Sequence, residues 1–69
     1  MVVYMNGYSE EKRERLTSFH GEVGAGGLGL LVRGALSVSG VDYVSVVVWR
    51  GEEMKKYWVE KDYSWRRLW

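Results

Sequence analysis

The chain has 69 residues, no cysteine, one histidine and a formal net charge of +1. These values exclude disulfide bridges and a zinc site of the usual Cys/His kind, and they lie far from the strongly basic footprint of a protein that holds phosphate backbones by charge alone. A domain this small buries only about 60% of the surface its unfolded chain exposes, so close aromatic packing or a partner subunit is expected to supply the missing stability.

Val2-Val3-Tyr4-Met5 is a short β-prone segment, and Asn6-Gly7 after it is a turn pair. Ser9 has the character of a helix N-cap, with Glu10 and Glu11 placed to suit the helix dipole. Helix-forming residues continue through Leu16, Glu11 and Arg15 stand at the favourable i,i+4 spacing, and Gly21 offers a stop. The pattern predicts a helix over residues 9–20, packing through the narrow stripe Tyr8, Leu16 and Phe19. His20 then falls at its C-terminal end, where an imidazole suits the last carbonyls.

Residues 21–29 hold five of the nine glycines and read as a loop. The next segment fits two periods. Leu28, Leu31, Val32, Ala35 and Leu36 form a helical stripe, whereas Leu28, Leu30, Val32, Leu36 and Val38 occupy one face of a strand. Ser39-Gly40, a natural hairpin turn, favours the strand; a helix over 25–38 is the runner-up. From Val41 to Arg50 the chain is rich in Val, Tyr and Trp. Gly51-Glu52-Glu53 marks a turn, and Met54 to Trp65 reads as a second strand. Alternation places Tyr57, Val59, Tyr63 and Trp65 on one face and Met54, Lys56, Trp58, Glu60 and Asp62 on the other. The expected fold is therefore a single α+β domain over residues 1–69. Its N-terminal helix packs on an antiparallel meander over 28–65, of which the hairpin 41–65 is the firmest part.

The longest apolar stretch, Leu28 to Val48, is interrupted by Arg33, Ser37, Ser39, Asp42 and Ser45, a costly pattern for a membrane span. Met1 is followed by Val-Val-Tyr-Met-Asn, without the basic region of a signal peptide. A soluble, cytoplasmic protein is expected. The absence of Gln and Cys beside plentiful Lys and Glu suits a thermophilic source, while the absence of proline argues the other way.

Three features bear on chemistry. Gly24-Ala-Gly26-Gly-Leu-Gly29 has the spacing G-x-G-x-x-G, with Glu52 and Glu53 some 23 residues on. Residues 24–53 thus resemble the opening βαβ unit of a Rossmann dinucleotide-binding domain. That resemblance implies phosphate binding at Gly24, Gly26 and Gly29. It departs from the pattern in what precedes the glycines, Thr17-Ser-Phe-His-Gly-Glu-Val23 in place of a buried apolar strand. His20 has neither an evident nucleophile nor an orienting carboxylate, and the pairs Glu52-Glu53 and Glu60/Asp62 have no neighbour that would raise a pKa. No catalytic constellation is visible, so a non-enzymatic protein without cofactor or metal is expected.

The third feature lies at the C-terminal end. All four tryptophans fall in the last 21 positions, interleaved with Arg and Lys, and seven of ten aromatics lie between residues 43 and 69. Trp49, Tyr57, Tyr63 and Trp65 are expected to build the core, leaving Trp58 and Trp69 exposed among charges. Trp58 and Trp69, with Lys55, Lys56, Lys61, Arg66 and Arg67, are the candidate site for nucleic acid, since a ring beside a cation stacks on bases. The same surface would also suit a protein partner, a small regulator or inhibitor from a mobile element, or self-assembly into a homo-oligomer.

Overall fold

In the computed structural model, which describes residues 1–68, five strands and one helix follow one another. They are β1 (Val2–Ser9), β2 (Glu14–Glu22), α1 (Gly27–Leu36), β3 (Tyr43–Arg50), β4 (Glu53–Glu60) and β5 (Trp65–Arg67). The strands form one sheet in the order β2-β1-β3-β4-β5, antiparallel at each neighbouring pair. The class is α+β, but its single helix follows two strands instead of leading them.

The expected helix over 9–20 is not formed, and the reason is local. Ser9 does act as a cap: its Oγ accepts the backbone N–H of Lys12 at 3.2 Å. The backbone N–H of Glu10 is taken by Asp42 Oδ2 at 2.8 Å. Arg13 then adopts φ of 54°, a left-handed conformation that ends the turn after one revolution. The chain reverses, and Glu14–Glu22 pairs along the whole of β1, from Ser9↔Glu14 to Val2↔Glu22. An isolated helix with three apolar residues would bury little. As a strand the same residues satisfy a full backbone ladder and place Leu16 and Phe19 against the core. Leu16 is the extra residue of a bulge, between Arg15 opposite Tyr8 and Thr17 opposite Gly7. Asn6-Gly7 is no turn either, since β1 runs through it to Ser9. A Cβ at Gly7 would stand 2.7 Å from the Thr17 side chain, so glycine is required there by close approach.

The segment after the glycine loop resolves to the runner-up reading. Gly27–Leu36 is helical, and Val32, Ala35 and Leu36 are buried, with Leu28 and Leu31 packed beside them. The strand reading would have buried Leu30, which is 70% exposed. Ser39-Gly40 consequently connects α1 to β3 rather than closing a hairpin, and Gly40 takes φ of 92°. The β3–β4 hairpin forms as expected, turning at Gly51 with φ of 60°. Its second strand stops at Glu60 instead of running to Trp65. Asp62 accepts the backbone N–H and the hydroxyl of Ser64, at 3.0 and 2.7 Å, and Tyr63 adopts φ of 63°. The chain folds back there, and β5 pairs with β4 from Val59↔Trp65 to Tyr57↔Arg67. The Ser64 donors hold the Asp62 carboxyl below its usual pKa, so this turn is strengthened at neutral pH and loses that support as acid protonates Asp62.

The core is aliphatic. Val3 and Met5 of β1, Val44, Val46 and Val48 of β3 and Val59 of β4 meet Val32, Ala35 and Leu36 of α1, with Val41 closing one end. Burying a valine side chain stabilises by roughly 1.5–3 kcal/mol, and the β-branched residues suit the pleat. The expected aromatic core is thus corrected. Tyr57 only borders the valines, while Tyr63 and Trp65 are 51% and 42% exposed. The helix covers one face of the sheet, and among the described residues no second layer covers the other.

Candidate functional site

Strand alternation makes the uncovered face aromatic. Along β1 the buried residues Val3, Met5, Gly7 and Ser9 alternate with Val2, Tyr4, Asn6 and Tyr8, which point away from α1. Register brings Tyr43, Ser45, Val47 and Trp49 of β3 beside them, then Met54, Lys56, Trp58 and Glu60 of β4. On the outer strands His20 stands opposite Tyr4, Arg15 opposite Tyr8, and Arg66 opposite Trp58.

These rings form two groups. In one, Tyr4 stacks on His20 with centroids 3.8 Å apart and meets Trp49 edge-on at 5.2 Å. In the other, Tyr43 lies between Tyr8 at 5.4 Å and Trp58 at 4.0 Å, all three rings within 25° of parallel from one to the next. Each stack spans neighbouring strands and so stiffens the sheet as well as decorating it. The groups are offset along β1 by the four residues from Tyr4 to Tyr8, about 13 Å of strand. Tyr43 is flanked by a ring on either side, and Trp58 ends the run. Trp58 is half-buried rather than exposed as expected, and Arg66 of β5 is its cross-strand partner.

The expected site residues divide between the two faces. Trp58, Lys56 and Arg66 come together on the open face. Lys55 lies opposite the buried Val48 and Arg67 opposite Tyr57, so both belong to the helix-covered face. There Lys55 borders a pocket of about 310 Å³ walled by Met1, Leu28, Val48, Tyr57 and Trp65. Lys61 sits in the turn after β4, 3.8 Å from the Asp42 carboxylate. Trp69 lies outside the described residues. The open-face contributors that the sequence did not suggest are Tyr4, Tyr8, Tyr43, Trp49, His20 and Arg15. A period-two pattern in Val2-Tyr4-Asn6-Tyr8 was the signal for the first two, masked by reading Asn6-Gly7 as a turn.

Electrostatics orients the face. Lys56 and Arg66 lie beside Trp58, and Arg15 at the β2 edge. Glu10, Asp42, Glu60 and Asp62 surround a depression whose walls include Tyr43 and Trp58 itself, relieved only by Lys61, so Trp58 stands between an acidic and a basic side. An anionic ligand on this face is therefore favoured on the Lys56 and Arg66 side of Trp58 and disfavoured on its Glu60 side. Among the described residues, no group of three or more His, Cys, Asp or Glu side chains is placed to hold a metal ion. No helix among them is long and apolar enough to cross a membrane.

The glycine loop leads from β2 into α1, as the dinucleotide-binding pattern requires, but two features of that pattern are not reproduced. The strands flanking the helix, β2 and β3, are separated in the sheet by β1. Nothing approaches Gly29 within 4 Å of where a Cβ would stand, whereas the third glycine of the pattern serves close helix–strand packing. His20 belongs to β2 and to the Tyr4 stack, not to a helix end. Comparison of the chain with protein-family models, curated proteins and solved structures returns no match.

Proposed function

We propose that the protein is a non-enzymatic module that binds single-stranded nucleic acid on the open face of its sheet. The observation that carries this reading is the Tyr8–Tyr43–Trp58 stack, a run of three rings on the face turned away from α1 that ends opposite Arg66. A base laid on that ring continues the stack, and stacking on an aromatic contributes about 1–3 kcal/mol per base. Lys56 and Arg66 meet the phosphates that follow. The second group, Tyr4, His20 and Trp49, lies about 13 Å away, roughly the rise of four stacked nucleotides. A duplex presents no unstacked base to either group, so single strands are preferred.

Charge on this face is modest, and so is the expected salt dependence. With Arg15, Lys56 and Arg66 each meeting a phosphate, affinity for a single strand falls with a log–log slope of about −2 in salt. Filter binding of single-stranded DNA and RNA at two salt concentrations tests the reading. Trp58→Ala is expected to weaken binding roughly 5- to 150-fold, the equivalent of one lost stacking contact. Absence of binding at low salt, or binding indifferent to Trp58→Ala, would sink it.

A further inference from the structure

The two edges of the sheet differ. β5 is a three-residue strand, short enough to offer little to another chain. β2 is nine residues long, pairs only with β1, and contains neither proline nor lysine; its bulge at Leu16 and its charges Glu14, Arg15 and Glu22 lie towards its ends, leaving Thr17 to Gly21 without these edge-blunting features. Its outer side leaves a row of backbone donors and acceptors without a strand partner. The edge is also apolar on its helix-covered side. Thr17 and Phe19 line a groove there with Leu30 and Val38, which are 70% and 40% exposed.

We propose that β2 pairs antiparallel with β2 of a second copy, joining two sheets into one of ten strands. The occupant is argued from self-complementarity of the edge. A two-fold axis through Phe19 sets Phe19 beside Phe19 of the second copy, a cross-strand aromatic pair on the apolar side. It sets Ser18 opposite His20 and brings Glu22 to the Leu16–Arg15 end of the other strand, so the acid of one copy meets the base of the other, twice. Shifting the axis to Ser18 turns Glu14 towards the second copy's Glu22, and shifting it to His20 sets two imidazoles side by side; neither shift gains an ion pair. In the Phe19 register the two grooves adjoin across the axis and cover Leu30 and Val38. A cysteine-free chain of 69 residues gains most from such a partner. The pairing shares only Arg15 with the proposed binding face, where Lys56 and Arg66 remain for phosphates, and Trp58 takes no part in it; it would make that face continuous across two copies.

Sedimentation equilibrium of the whole chain, from micromolar to millimolar, tests this. The expected result is a species of twice 8.0 kDa. Arg15→Glu and Glu22→Arg, both at exposed positions, are each expected to raise the dissociation constant about tenfold through like-charge contacts on both sides of the axis. The double variant Arg15→Glu/Glu22→Arg is expected to return within about threefold of the original. Trp58→Ala should leave the association unchanged. A monomer at every concentration would overturn the proposal. So would a dimer whose double variant is not restored, or one that Trp58→Ala dissociates while the charge reversals do not.

Discussion

Tyr43 occupies the centre of the three-ring stack and supports Trp58 from below, 4.0 Å away. Truncation to Ala removes two ring contacts at once, each worth about 0.5–1.5 kcal/mol beyond its buried area. Tyr43→Ala is accordingly expected to lower unfolding free energy by about 1–3 kcal/mol in urea titration, and to weaken strand binding by loosening Trp58. Arg13 poses the opposite case. Its φ of 54° carries a left-handed penalty of about 1–2 kcal/mol. Arg13→Gly relieves that at the cost of a more flexible unfolded chain, a net gain of about 0.5–1 kcal/mol, or a few degrees in thermal melting. The two residues show what sequence alone conveys at this scale. Trp58 is separated from Tyr57 and Val59 by simple alternation, and the structure places it on the face opposite the buried Val59. The backbone of Arg13 carries no such signal. Its conformation follows from β2 finding a longer ladder along β1 than a short helix could offer.

At the scale of elements, α1 and β2 exchange the characters suggested by their composition. The charged segment, rich in helix formers, is a strand, while the glycine-containing segment is the helix. In both, burial outweighs propensity. The stripe of Leu28, Leu31, Val32, Ala35 and Leu36 buries one side of α1 against β1 and β3, and Gly29 and Gly34 fall on the other side, where nothing stands within 4 Å of an added Cβ. Each glycine is a local cost that packing overrides. Gly34→Ala is therefore expected to stabilise the fold by about 0.5–1 kcal/mol, read as a higher urea midpoint with an unchanged slope. A loss of stability confined to concentrations at which the chain is paired would mean that the second copy closes the groove lined by Leu30, Gly34 and Val38. The β3–β4 hairpin was legible because its valines, its aromatics and Gly51 agree on one outcome. The helix at 27–36 was not, because its apolar residues satisfy two periods and only the tertiary position of Leu30 separates them.

At the scale of the molecule, a helix on one side and none on the other leaves the sheet with two unlike faces. The valines gather under α1, and the rings of β1, β3 and β4 gather on the bare side. Adjacency in the sheet, β1 beside β3, brings Tyr4 to Trp49 and Tyr8 to Tyr43 across 45 and 35 positions of chain. The C-terminal crowding of tryptophans hinted at this surface but misplaced its centre. Half of its ring residues come from the N-terminal hairpin, and Lys55 and Arg67 face the other way. The most direct test is a ¹H–¹⁵N titration of the protein with a short oligothymidylate at low salt. The open-face reading predicts saturable shifts at the Trp58 and Trp49 indoles and along β1, β3 and β4, with α1 unmoved. Shifts confined to α1 and the helix-covered face, or none at all, would contradict it.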